Sequence, residues 1–207
     1  MARVEYKVKP LKFSKELSGI SKRQVDEHHD VLYAGYVKKL NEIRMKMETA
    51  DPAEANATFS LIRELKLEET FARNAMELHE EYFDNLGGDG APRGAVLDLI
   101  KEDFGSFEKW QQEFIALGIS ARGWVVLAFD YNDLKLHNYL ADFHSHGGVW
   151  SCSPILVLDV YEHAYFLDYG TARRKYLDAF MKNVDWGEAN KRVERSMVLQ
   201  MRKQAQE

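Results

Sequence analysis

Pro154-Ile155-Leu156-Val157-Leu158-Asp159-Val160-Tyr161-Glu162-His163-Ala164-Tyr165 is the stretch on which the fold turns. Its apolar run up to Leu158 reads as a buried strand, and the strand ends on the carboxylate of Asp159. Four residues later comes the imidazole of His163, where the chain turns toward a helix. A carboxylate at the end of a buried strand is costly unless its charge is paired. A metal ion shared with His163 would pair it, and the rest of the chain must then supply further ligands.

Upstream of this stretch, Gly123–Asp130 is β-branched and aromatic and reads as a first strand. Asn132-Asp133 marks a turn and Leu134–Tyr139 a second strand, which makes the strand ending at Asp159 the third. Shorter helices are expected over 94–103 and 106–118, then over 172–181 and from Gly187 to the end. At the other end of the chain, Ser21 is an N-cap with Gln24 at the capping-box position, opening a helix that runs to about Met47. Asp51-Pro52 is a turn, and a second long helix is expected over 56–86. Gly87-Gly88-Asp89-Gly90-Ala91-Pro92 ends it and divides a helical half, residues 1–88, from a second half, residues 89–207. Strands flanked by runs of helices predict an α+β fold. Two long helices joined by a short connection predict an antiparallel helical hairpin.

The composition suits a globular chain with an adequate core: 45% of the 207 residues are hydrophobic and 29% charged. A net charge of −5 argues against nucleic acid as a partner. No apolar run approaches the ~20 residues of a membrane span, and Met1–Tyr6 lacks an apolar leader. No membrane association is expected, and the expected location is cytoplasmic. The lone Cys152 excludes an intrachain disulfide and reads as a small residue just before the third strand, with no activating motif around it.

Of the seven histidines, His28 shares a helix face with Leu32 and Tyr36, and His79 shares one with Ala75, Met76, Tyr82 and Phe83. Each alone fits an ordinary core histidine; together they place one imidazole on the aromatic face of each hairpin helix. His29 points away from that face and is expected to be exposed. With Asp159 and His163 the set becomes three imidazoles and one carboxylate, which suits Mn, Fe or Zn. A closed structural zinc site would normally contain cysteines, so a redox metal with room for a solvent ligand is the better reading.

These residues resemble the iron/manganese superoxide dismutase family over nearly the whole chain. Its last-ligand motif, Asp-x-Trp-Glu-His-Ala-Tyr, stands here as Asp159-Val-Tyr-Glu-His-Ala-Tyr165. Its first ligand matches His28 in Glu27-His-His-Asp-Val-Leu-Tyr-Ala-Gly-Tyr-Val37, and its second matches His79 in Leu78-His-Glu-Glu-Tyr-Phe83. Phe104-Gly-Ser-Phe107, Gly123-Trp124 and Asn183-Val-Asp-Trp-Gly187 match as well. The resemblance implies a three-stranded antiparallel sheet in the second half. It implies one Mn or Fe ion per subunit between the halves, held by His28, His79, Asp159 and His163 with a bound water or hydroxide. The implied substrate is superoxide. Tyr36 matches the tyrosine beside the substrate funnel. His144 resembles the side chain that contacts the bound solvent, with His146 a rival, and Arg173 is expected to guide the anion. Glu162 is expected to reach His163 of the partner subunit in a homodimer, or within a tetramer.

The chain also departs from the family. Leu32 and Phe166 stand where a histidine and a tyrosine often pair across the interface. The joint loss of both polar groups is a compensated swap, since neither leaves the other stranded. Tyr161 replaces a tryptophan, Val126 and Phe83 stand where tryptophans are frequent, and Val31 stands where a lysine is often found. These changes keep open a metal-binding member with weak or lost activity; beside it stand another metal-dependent oxidoreductase and a metal-free helical interaction protein, the last of which would leave Asp159 buried without a partner.

Overall fold

The computed structural model describes residues 5–14 and 16–206. Residues 1–4, on which the reading of the N-terminus as lacking a leader partly rests, lie outside the described residues. The first long helix opens at Ser21, whose Oγ accepts from the Gln24 N–H at 3.1 Å. The reciprocal capping-box bond does not form. The Ser21 N–H and hydroxyl both donate to Asp168, each at 2.7 Å, and this leaves Gln24 free to reach elsewhere.

The helix is not uniform. It starts as α1 (Lys22–Asp26), widens into a π-helical segment (Glu27–Tyr33) and continues as α2 (Ala34–Met47). The Ala34 N–H donates back to the His29 carbonyl, five residues earlier, as a π turn requires. The wide turn carries both His28 and His29 inward, and the expected exposure of His29 is corrected: the residue is buried. Its Nε2 meets the Lys9 carbonyl at 2.8 Å, and its ring packs 5.0 Å from Phe83. The N-terminal strap that covers it is distant in sequence.

The connection carries the Asp51-Pro52 turn, with Asp51 accepting from the Ala53 N–H at 2.9 Å. The second long helix, α3, spans Leu61–Asp84, five residues shorter at its start than the pattern suggests. Asn56 is the reason: its side chain accepts from the Thr58 and Phe59 N–H groups at 2.8 and 3.2 Å and holds a turn there. Ser60 then caps the helix. α2 and α3 pack as the expected antiparallel hairpin, burying Val37, Leu40 and Ile43 with Leu65, Ala72 and Met76.

The glycine run after α3 docks as well as separates. Gly88 donates to the Asn183 carbonyl at 3.0 Å, and a Cβ at Gly88 would stand 2.3 Å from the Val184 oxygen. Helices α4 (Ala95–Phe104) and α5 (Phe107–Ser120) follow. The sheet of β1 (Trp124–Asp130), β2 (Lys135–Ala141) and β3 (Cys152–Asp159) is antiparallel in the order β2-β1-β3. Cys152 thus opens β3 rather than preceding it. In register, Trp124 pairs with Ala141 on one side and Asp159 on the other, which gathers three strand ends at one edge. A three-residue 3-10 turn, Glu162–Ala164, and a short α6 (Phe166–Tyr169) lead to α7 (Arg173–Lys182) and α8 (Trp186–Arg195). The single terminal helix expected from Gly187 is broken at Met197, whose φ of 58° is left-handed, and resumes as α9 (Val198–Gln206). The architecture is α+β, and among the described residues no helix is long and apolar enough to cross a membrane.

Arg192 on α8 is buried and donates to the Asn85 side chain at 2.8 Å and to the Glu81 carbonyl at 2.9 Å, tying α8 to the end of α3. The Glu81 side chain keeps a buried, unpartnered Oε2, and burial pushes its carboxyl up to about 7 against the pull of Arg192. A carboxyl that holds its proton more tightly when folded stabilises most below pH 4.5. That contribution fades as pH rises through 7. Glu81→Gln should therefore be more stable than the parent at pH 8 by about 2 kcal/mol, with the gap closing by pH 5, in urea unfolding of the metal-free proteins. An equal gap at both pH values would refute the assignment.

Candidate metal centre

Four side chains converge where the helical hairpin meets the end of β3. Asp159, the last residue of β3, is fully buried. Its Oδ2 lies 3.1 Å from His28 Nε2, 3.2 Å from His163 Nε2 and 3.5 Å from His79 Nε2. All four ligand atoms fall within 4.8 Å of one another. His28 comes from the π segment, His79 from α3 and His163 from the 3-10 turn.

Burial and hydrogen bonding hold His28, His79 and Asp159 in the protonation states a cation needs. His79 Nδ1 meets the Ala75 carbonyl at 2.6 Å, so it carries the proton. That leaves Nε2 as a bare acceptor, buried and without a hydrogen-bond partner, facing the centre. Burial, assisted by His28, pushes His79 well below its usual range, and burial lowers His28 despite the pull of Asp159. Burial alone would raise Asp159, but His163 and His28 outweigh it and hold the carboxyl below the usual range. Three imidazoles and one carboxylate, with an orphaned lone pair aimed among them, fit a divalent or trivalent ion with nitrogen and oxygen ligands.

The surroundings fix these groups. Asp159 Oδ1 accepts from the Tyr161 N–H at 2.9 Å, and its backbone carbonyl accepts from the Tyr176 hydroxyl at 2.7 Å. Tyr176 in turn meets the Tyr82 hydroxyl at 3.1 Å. Tyr161 stacks on His163, ring centroids 5.1 Å apart and planes at 14°, in the place expected of a tryptophan. Phe83 packs 4.9 Å from His28.

His144 is buried beside the centre, its ring 5.8 Å from that of His79. The Trp124 indole N–H donates to its Nδ1 at 3.0 Å. An indole only donates, so the His144 proton sits on Nε2, which meets the Tyr36 hydroxyl at 3.0 Å. Burial lowers His144 to about 4 and keeps this tautomer neutral, while burial raises Tyr36. His146 lies exposed against Phe143 and is not brought to this group. Arg173 is held at the start of α7 by the Tyr165 hydroxyl at 3.0 Å and by the Ile119 and Ala121 carbonyls at 3.1 and 2.7 Å. Glu162 is exposed at the surface next to His163, with half-exposed Phe166 and Leu167 close by. Leu32 is partly buried and Val31 exposed. The Cys152 thiol is raised by burial and contacts Tyr139, consistent with an inert residue.

A second group, Asp130, Asp133 and His137, meets at the β1–β2 turn. Its oxygens are taken by Asn132, Tyr139, Lys135 and His137 itself. Two supports of the first centre escape sequence reading. Tyr176 is not singled out by any motif, and Gln24 reads as half of a capping box. Only the partner of each, far along the chain, shows its role.

An α+β chain with three imidazoles and one carboxylate converging on a buried point defines a candidate mononuclear metalloprotein. Residues 92–192 match the family described as iron/manganese superoxide dismutases, C-terminal domain. The chain is 42% identical over 191 residues to an iron superoxide dismutase of Cupriavidus metallidurans, covering 89% of this chain and 94% of the relative. It is 41% identical to an iron superoxide dismutase of Aquifex aeolicus, covering 87% of each. It is 36% identical to a manganese superoxide dismutase of Haloarcula marismortui, covering 86% of this chain and 87% of the relative. The chain belongs to the iron/manganese superoxide dismutase family.

Proposed function

We propose that the protein dismutates superoxide with one iron or manganese ion held by His28, His79, Asp159 and His163, with solvent as a further ligand. The single observation that carries this reading is the buried, unpartnered Nε2 of His79 facing three other ligand atoms. When bound, the ion supplies one-electron cycling, by which one superoxide leaves as dioxygen and a second, with two protons, as hydrogen peroxide. The rest falls to the chain. Asp159 places one negative charge among three imidazoles and so partly neutralises the ion. Trp124 fixes His144 as an Nε2–H donor toward Tyr36, which leaves the Tyr36 hydroxyl proton free to point to the approaching anion. The two groups together form a short donor chain whose ends stay neutral near pH 7. Arg173 supplies positive charge for the anion.

Residues 1–88 and 89–207 each contribute two of the ligands, which supports reading them as two domains sharing one centre. The placement of Glu162 supports reading the protein as a homodimer. It stands exposed beside His163, whose Nε2 faces Asp159 and whose side chain remains 23% exposed, so a partner's carboxylate can reach the other ring nitrogen. A single cysteine suits a reducing compartment such as the cytoplasm. The experiment is to strip the purified protein and reload it separately with manganese and with iron, measuring metal content and superoxide loss. Stoichiometric metal with dismutation well above that of the free ion is expected for at least one of them. No dismutation above the free ion with either would overturn the proposal.

A further inference from the structure

His163 rides on a turn of only three residues, yet it must meet ligands carried by two other helices. Its backbone carbonyl is met by Gln24. This side chain is 1% exposed and lies on α1, one helical turn before His28. Its Nε2 donates to the His163 carbonyl at 2.6 Å, and its Oε1 accepts from the Leu167 N–H at 3.2 Å. In a continuous α-helix the Leu167 N–H would donate directly to the His163 carbonyl, four residues earlier. The Gln24 amide stands between the two, like a peptide group slipped into the turn. It keeps the His163 turn separate from α6, and Tyr165 between them has the non-helical angles φ −146° and ψ −15°. The amide also satisfies one acceptor and one donor that the broken turn would otherwise leave open.

We infer that Gln24 is a positioning residue for the metal centre. It locks the backbone of His163 to the helix that carries His28, so that two ligands 135 residues apart keep one spacing. Only a side chain offering both an N–H and a C=O at this length does so. A second clamp in the same seam, Ser21 to Asp168, joins the same two segments without touching His163. It provides the control. The inference rests on the four residues holding a metal, as proposed above.

The test uses cobalt(II) as the probe on the stripped full-length protein, with affinity measured by chelator competition and the visible ligand-field spectrum recorded. Glutamine 24 is replaced as Gln24→Leu and Gln24→Met, which keep bulk and lose the amide; Ser21→Ala is the control. Both positions should lose thermal stability. Only the Gln24 variants should bind cobalt about 10- to 100-fold more weakly, the range seen when a group supporting a ligand is removed, with an altered spectrum. If one Gln24 variant does not fold, the other is read. If neither folds while Ser21→Ala does, the residue is structural and the inference fails. A Gln24 variant binding within twofold of the parent with an unchanged spectrum overturns it too, as does an equal loss in Ser21→Ala. A parent that binds no cobalt, manganese or iron would fail the proposed function itself, and this inference with it.

Discussion

Asp159→Ala should strip the protein of its metal and of dismutation together. Four ligands that share ~10–16 kcal/mol of metal binding contribute about 2.5–4 kcal/mol each, so losing one lowers affinity about 10²- to 10³-fold. Asp159 should lie at the upper end, because its carboxylate is the only negative charge in the group, fully buried beside His28 and His79, which burial keeps neutral. Asp159→Asn separates charge from geometry. It keeps the shape of the side chain and one oxygen, which can serve the Tyr161 N–H or face the three rings but not both, and it carries no charge. If charge matters most, Asn should resemble Ala in metal content after dialysis and in chelator competition. If position matters most, Asn should recover most of the affinity. An Asp159→Ala protein that kept stoichiometric metal would refute the ligand set.

How much of this was legible in the chain depends on how far apart the interacting groups lie. The strand ending at Asp159 and the imidazole at His163 were readable because burial, charge and a four-residue spacing sit in one local stretch. The hairpin faces that carry His28 and His79 were readable from helical periodicity. The π segment was not, because its cause is not local. His29 turns inward to meet the Lys9 carbonyl and Phe83, and a uniform helix period sends it to solvent. Gln24 escapes local reading for the same reason. A capping box is a valid local reading, but Asp168 takes the Ser21 N–H and releases the glutamine to His163 and Leu167. Met197 broke a helix that propensity would have continued. His144 was within reach of sequence reading only through resemblance. Nothing in Asp142-Phe-His-Ser-His146 separates the two histidines until Trp124 and Tyr36 are seen to bracket one of them.

That bracketing makes His144 the site of the second large effect. His144→Ala would leave the buried Trp124 N–H without an acceptor, at a cost of about 1–3 kcal/mol, and would detach Tyr36 from the centre. Dismutation should fall about 10- to 100-fold, the range for a group that orients others around a metal. His144→Gln is the informative partner. Its amide oxygen can accept from Trp124 and its N–H can donate to Tyr36, so activity should stay within about tenfold of the parent. The two forms differ in acid. Burial lowers His144 from 6.5 to about 4, so between those values the unfolded chain binds a proton that the folded chain does not. Stability therefore rises with pH across that window and is lost as pH falls, by up to about 3 kcal/mol from this residue. His28, His79 and Asp159 slope the same way, so the residue's own share is the difference between proteins. Urea unfolding of the metal-free parent and of His144→Gln at pH 7 and pH 4.5 should show the variant losing less stability in acid. An identical acid loss would show that His144 is not held neutral by the fold. Full activity in His144→Ala would show that it does not serve the centre.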